Sequence, residues 1–263
     1  VSERAELVAL LRAAKLSDDH ACRLADFGAL LLERNRLMNL TAARTPAAIA
    51  VHVLDALTVA PYVTGSLVDV GSGGGFPAIP LAIVTGVEVV MIESVGKKAD
   101  FLRAALAELQ LVGRVIAERA EIAAHDPALR GRFSTATARA VAGLSTVLEL
   151  TLPLLAVGGR AVLQRGRLDA SERDAGVDAA LMLGGAVIAE VEIGANGAGE
   201  GAGAAAAGAE SAEGGAQRRL IIVEQRRLSA GRFPRRPGVP AKRPLCVPEN
   251  GPSGLRSRAG ATR

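Results

Sequence analysis

The residues best placed to do chemistry run Asp69-Val70-Gly71-Ser72-Gly73-Gly74-Gly75-Phe76-Pro77. A short apolar run ending at Val70 feeds into four glycines and then into a helical pattern with Pro77 near its start. Glycine admits positive φ and places no side chain in the way, so such a turn lets the backbone approach a ligand. At the carboxyl end of the first strand of an open α/β sheet, that ligand is nucleotide-like. Glu93 ends a second apolar run, Val89-Val90-Met91-Ile92, and falls 22 residues after Gly71. A carboxylate there accepts hydrogen bonds from both ribose hydroxyls, in dinucleotide folds and other adenosine-binding folds alike. After a third run, Arg119-Ala120-Glu121 offers the Ala120 amide and the Glu121 side chain to an adenine edge.

The spacing of the glycines narrows the choice of ligand. A dinucleotide turn reads G-x-G-x-x-G, with the third glycine giving close helix packing beside a pyrophosphate. Counting from Gly71, that position is Phe76, and the glycines at 71, 73 and 75 read G-x-G-x-G instead. This is the spacing of enzymes that bind S-adenosylmethionine, whose amino-acid moiety lies along the turn. A dinucleotide-binding oxidoreductase would also need an acid/base constellation for hydride transfer, and none is visible. His20, His52 and His125 are not at ligand spacing from one another, so no metal is expected. Two distant cysteines, Cys22 and Cys246, cannot build a disulfide framework and suit a reducing cytoplasm.

These groups need a scaffold, and the rest of the 263 residues supplies one. Apolar runs at 67–70, 87–92, 114–118, 133–138 and 159–164 alternate with helical patterns at about 77–85, 97–111, 144–156 and 169–182. Such alternation predicts βαβ units and a mostly parallel sheet. Runs at 185–193 and 219–226 have no helix between them and predict an antiparallel pair closing it. Residues 1–62 form an N-terminal helical region, with Leu7, Leu10 and Leu11, then Leu24, Phe27, Leu30 and Leu31, at helical spacing and a third helix between Pro46 and Pro61. The core spans 63–228. It is interrupted by a Gly/Ala insert at 194–216, read as an expanded hairpin loop, and followed by a basic Pro/Arg-rich tail at 229–263.

The 18 uncharged residues between Asp69 and Glu88 hold five glycines and two prolines, so a strand, turn and helix start explain them better than a membrane span. Glu3, Arg4 and Glu6 break the first residues before a signal peptide could form, and the sequon Asn39-Leu40-Thr41 is expected to stay unglycosylated. The net charge of +4 is concentrated in the tail, where eight Lys/Arg face only Glu249. The tail reads either as a phosphate-contacting arm or as a solvated end. With six aromatic residues and no Trp, RNA affinity would come from phosphates and shape. Arg34, Arg36, Arg44, Lys97, Lys98 and the 232–243 stretch are the candidates.

Several segments, in order, resemble one family. They are Asn39-Leu40-Thr41, His52-Val53-Leu54-Asp55, the glycine turn from Asp69 to Pro77, Gly96-Lys97-Lys98 with Phe101-Leu102, and Ala138-Arg139-Ala140. Together they are similar to the GidB/RsmG family of 16S ribosomal RNA guanine-N7 methyltransferases, over about residues 25–245. The resemblance implies a class I S-adenosylmethionine-dependent methyltransferase fold, Rossmann-like with an antiparallel last strand and N-terminal helices. It implies methyl transfer from S-adenosyl-L-methionine to N7 of one guanine in the decoding-centre loop, on 16S rRNA or the small ribosomal subunit. Gly71, Phe76, Ala120, Glu121 and Arg139 would contact the cofactor, together with Gly73, Gly75 and Glu93 from the residue reading above. Arg139 and Asn39 are the expected catalytic pair, with His52 and Asp55 beside the substrate. Guanine N7 has a free lone pair, so no general base is needed and Arg139 would orient rather than titrate. The Gly/Ala insert, the extension beyond Leu245, and Gln164-Arg165-Gly166 in place of a common Lys-Gly pair depart from the pattern. A methyltransferase for another acceptor and an RNA-binding module with a vestigial cofactor fold are the other readings. No dimerisation stripe is visible, so a monomer is expected.

Overall fold

The computed structural model describes residues 2–139, 142–194 and 218–246. Three helices lead: α1 (Glu3–Ala13), α2 (Asp18–Asn35) and α3 (Pro46–Leu57). Each starts where a hydroxyl accepts an otherwise unpaired backbone N–H: Ser2 from Ala5, Ser17 from His20, Thr45 from Ala48. Their apolar stripes, including Leu7, Leu11, Leu24, Phe27, Leu31, Ile49 and Val53, share one core with one face of the sheet.

The sheet begins with β1 (Leu67–Val70), α4 (Ala78–Thr85), β2 (Val89–Ile92), α5 (Gly96–Glu108), β3 (Gly113–Ile116) and α6 (Ala120–Ala123). It continues with β4 (Phe133–Arg139), α7 (Leu144–Thr151), β5 (Leu155–Arg165), α8 (Ala170–Met182), β6 (Gly185–Ile193) and β7 (Arg218–Gln225); α9 (Val239–Lys242) follows. The strand order is β3-β2-β1-β4-β5-β7-β6. The first five run parallel, and β7 is antiparallel to both its neighbours. Alternate residues divide between two cores: Leu67 and Met91 face the N-terminal helices, Val68, Val70, Val90 and Ile92 face Leu148 and Ala179 of α7 and α8. Burial on both faces is why these strands read as continuous apolar runs.

The expected parallel strands and the closing antiparallel pair are present, with different ends. The helix expected over 144–156 stops at Thr151; a 3₁₀ turn at Leu152–Leu154 follows, and Leu155 already belongs to β5. Pro153 supplies no N–H to continue the helix. The four-residue helices α6 and α9 carry too little periodicity to be foreseen.

Residues 229–246 are docked on the core rather than forming a solvated end, with Arg232, Arg236, Lys242 and Arg243 left exposed. Phe233 and Leu245 are buried in the second core. The Arg130 guanidinium donates to the carbonyls of Ala124, Ser229, Ala230 and Phe233, and His125 Nε2 donates to Pro234 O at 2.7 Å. Ala140, most of the Gly/Ala insert and residues 247–263 lie outside the described residues. Among the described residues no helix is long and apolar enough to cross a membrane, and no cluster of His, Cys, Asp and Glu could hold a metal.

Candidate active site

The parallel register assembles the site. Val70 pairs with Ile92 and with Ala138, and Ile92 with Ile116, so Gly71, Glu93 and Arg139 emerge side by side at one edge of the sheet. Between β1 and β4 the chain changes its winding direction, which leaves a crevice at the carboxyl ends. Gly71, Gly73 and Gly75 all have positive φ, at 73°, 53° and 93°. The N–H groups of Gly71 and Ser72 both donate to Ile92 O, and Gly73 N–H donates to Glu93 Oε2 at 2.9 Å. The other oxygen, Glu93 Oε1, accepts from Val95 N at 2.8 Å. The Glu93 carboxylate therefore ties the turn to β2, while each oxygen retains acceptor capacity. A Cβ on Gly75 would lie 2.6 Å from Ile79 Cδ1, whereas one on Gly73 would meet nothing nearer than 3.8 Å. Gly75 serves packing; Gly73 marks the open side of the turn.

Below the turn, Asp69 is fully buried and accepts from Thr137 Oγ1 at 2.8 Å through Oδ1, while its Oδ2 has no partner. Burial pushes this carboxyl up to about 7, opposed by the hydrogen bond from Thr137 and by the charge of Arg139. Phe76 is buried at the end of the turn, edge-on to Phe27 with ring centroids 5.2 Å apart. The Arg139 guanidinium lies 4.9 Å from the Phe76 ring centroid, and the His52 ring 5.7 Å from it. Arg139 Nη1 is 3.3 Å from Asp55 Oδ2, and Arg218 Nη1 is 3.1 Å from Asp55 Oδ1. Burial, followed by the charges of Arg139 and Arg218, holds His52 below its ordinary value against the pull of Asp55. A cleft of about 240 Å³ opens beside Arg139, bordered also by Asp55, Gln164, Arg165, Arg218 and Arg219.

Asn39 is exposed, its Oδ1 accepting from Arg44 Nη2 at 3.0 Å. Its loop is folded around buried Asn35, which accepts from Leu40 N and Thr41 N and donates to Thr41 O and Ala43 O. Sequence reasoning missed Asn35; its one signal was an asparagine at the end of the α2 apolar periodicity. The loop touches the glycine turn, since a Cβ on Gly74 would lie 3.1 Å from Leu40 O. Ala120 opens α6, and the buried Glu121 carboxylate accepts from Arg119 Nη2 at 2.9 Å and from Gly238 N at 2.8 Å. Burial opposes the charge, but those hydrogen bonds hold Glu121 below the usual carboxylate range.

The family model described as GidB, rRNA small subunit methyltransferase G, matches residues 21–196. Ribosomal RNA small subunit methyltransferase G of Rubrobacter xylanophilus is 42% identical over 224 residues, covering 82% of this chain and 81% of that protein. Its namesake in Deinococcus radiodurans is 38% identical over 234 residues, covering 86% of each. The chain belongs to the GidB family.

An O-methyltransferase from Bacillus cereus shares the fold at TM-score 0.52 and 15% identity, over 76% of this chain and 90% of that one. This GidB-family chain shares with it the α/β fold built on the mostly parallel seven-stranded sheet of its described residues. Membership removes the dinucleotide-binding oxidoreductase reading, in agreement with Phe76 at the third-glycine position. Several basic residues expected to meet RNA are engaged within the protein: Arg34 with Glu108, Arg36 with Glu3, and Arg44 with Asn35 O and Asn39 Oδ1. Lys97 is exposed at the start of α5 without an ion pair among the described residues.

Proposed function

We propose that this GidB-family chain transfers a methyl group from S-adenosylmethionine to N7 of a guanine in the decoding-centre loop of 16S rRNA. The observation that carries the reading is the crevice at the switch point, bordered by the open side of the Gly71–Phe76 turn, the Glu93 carboxylate and the Arg139 guanidinium. The residues fit that cofactor. An unpartnered buried acceptor, Asp69 Oδ2, lies under the turn, no protein atom fills the space above Gly73, and Glu93 keeps free lone pairs at the ribose position. In this reading Gly71, Gly73, Gly75 and Phe76 border the amino-acid and sulfonium end. Glu93 takes the ribose, Ala120 and Glu121 the adenine, and Arg139 and Asn39 the acceptor side.

When bound, the cofactor supplies an already activated methyl group. The chain's task is then to hold N7 in line with it, because a well-oriented pair reacts as an effectively unimolecular system. Arg139 suits this work: its side chain is only 20% exposed, fixed by Asp55 and stacked over Phe76, so its charge cannot wander. No residue need remove a proton, and His52, depressed and neutral, fits as a wall of the site. We take the working unit to be a cytoplasmic monomer acting on rRNA or on the small subunit.

The test is methyl transfer from labelled S-adenosylmethionine to small subunits lacking the modification, followed by nucleoside analysis of the 16S rRNA. Label in 7-methylguanosine supports the reading. Cofactor binding with label elsewhere redirects it to another acceptor, and binding without label anywhere favours a non-catalytic RNA-binding role.

A further inference from the structure

We infer that the cleft beside Arg139 is the guanine-reading subsite, and that Asp55, with Gln164, recognises the N1–H and N2–H₂ edge of the acceptor base. The inference rests on the proposed N7 methyl transfer and adds the residues that choose the base. Arginine ordinarily reads guanine at O6 and N7. Here N7 must stay free to react, so discrimination has to come from the opposite edge, where guanine offers two adjacent donors. Two donors call for acceptors, and the cleft wall is otherwise cationic: Asp55 is its one carboxylate among the described residues, set among Arg139, Arg165, Arg218 and Arg219.

Asp55 is built to keep that capacity. Each of its oxygens takes a single arginine contact, at 3.3 Å from Arg139 and 3.1 Å from Arg218, out of about four lone-pair positions on the carboxylate. Gln164 borders the same cleft with its Oε1 unpartnered. Its amide is oriented by Nε2, which donates to Asp55 O at 2.7 Å and to Thr58 Oγ1 at 3.3 Å. Arg139 contacts both Asp55 of this cleft and the Phe76 ring at the end of the glycine turn, so the cleft adjoins the cofactor crevice. The methylated base is a cation, and a carboxylate on its N1–H edge favours the charge as it develops.

The experiment compares guanosine with inosine at the methylated position, in small subunits assembled on 16S rRNA carrying either base. Inosine keeps N7 and N1–H and lacks only the N2 amino group. The wild-type protein is expected to prefer guanosine about 10-fold to 100-fold in kcat/KM. In Asp55→Asn that preference falls to near unity, beyond any general loss of rate. Asp55→Asn slowing both substrates equally, with the preference intact, would overturn the inference and leave Asp55 as a support for Arg139. Wild-type protein that methylates inosine as fast as guanosine overturns it with no variant needed. Wild-type protein that binds S-adenosylmethionine and methylates neither removes the parent reading itself.

Discussion

The backbone N–H of Gly73 donates to Glu93 Oε2 at 2.9 Å, so the carboxylate that ends the second strand is fastened to the turn that follows the first. One side chain thereby sets the shape of the turn and, in the proposed function, also receives the ribose. Glu93→Ala strands the N–H groups of Gly73 and Val95. It should lower stability by about 2 kcal/mol in urea titrations. Calorimetric titration should show at least about a 10-fold loss of S-adenosylmethionine affinity.

Gly73 and Gly75 should separate binding from folding. Both need positive φ, which costs a side chain about 1 kcal/mol. Gly75→Ala also drives a methyl to 2.6 Å from Ile79 Cδ1 and should cost about 1–3 kcal/mol more. Gly73→Ala meets open space, so its main effect should be on cofactor affinity. Thermal melts and cofactor titrations of the two variants should rank them in opposite order.

Asp69 predicts a pH dependence of stability. Burial lifts its folded value to about 7, while the unfolded chain titrates near the ordinary aspartate value of about 3.9. The folded state therefore binds more protons across that interval, and stability falls as pH rises from about 4 to about 7. Asp69→Asn keeps an acceptor for Thr137 and removes the titration. In urea denaturation between pH 5 and 9, the variant should gain on the wild type as pH rises and hold a constant margin above pH 8.

The buried ion pair of the C-terminal segment gives a fourth expectation. Glu149 is fully buried and receives Arg235 Nη2 at 2.6 Å, Arg235 Nε at 2.9 Å and the Arg235 backbone N–H at 2.8 Å. Arg235→Ala leaves that charge without its cation and should cost about 3 kcal/mol or more. The Glu149→Leu, Arg235→Leu double variant should cost much less than the two single changes summed, as a double-mutant cycle in denaturant would show.

What could be read from the residues in advance was local in sequence. The glycine turn, the Glu93 position and Arg139 at the end of β4 follow from runs of a few residues and from parallel register. The partners of these groups did not: Arg218 meets Asp55 across 163 positions, and Gly238 meets Glu121 across 117. Neither pair has a periodicity that joins its ends. Composition misled at 229–246, because prolines and arginines suit a solvated chain equally well until a buried Glu149 and a cradle of carbonyls around Arg130 supply partners. The 3₁₀ turn at Leu152–Leu154 ran on from α7 without a break in apolar character, and only Pro153 hinted that the helix had ended.

The docked C-terminal segment also orders events during synthesis. Chains fold from the N-terminal side as they are made, and all seven strands of the described residues exist once Gln225 has been added. At that point Glu149 still lacks Arg235, Glu121 still lacks Gly238, and Arg130 faces three carbonyl partners that have yet to be made. A nascent chain with its whole sheet is therefore still short of its native state, and the last described residues to emerge are the ones that complete it.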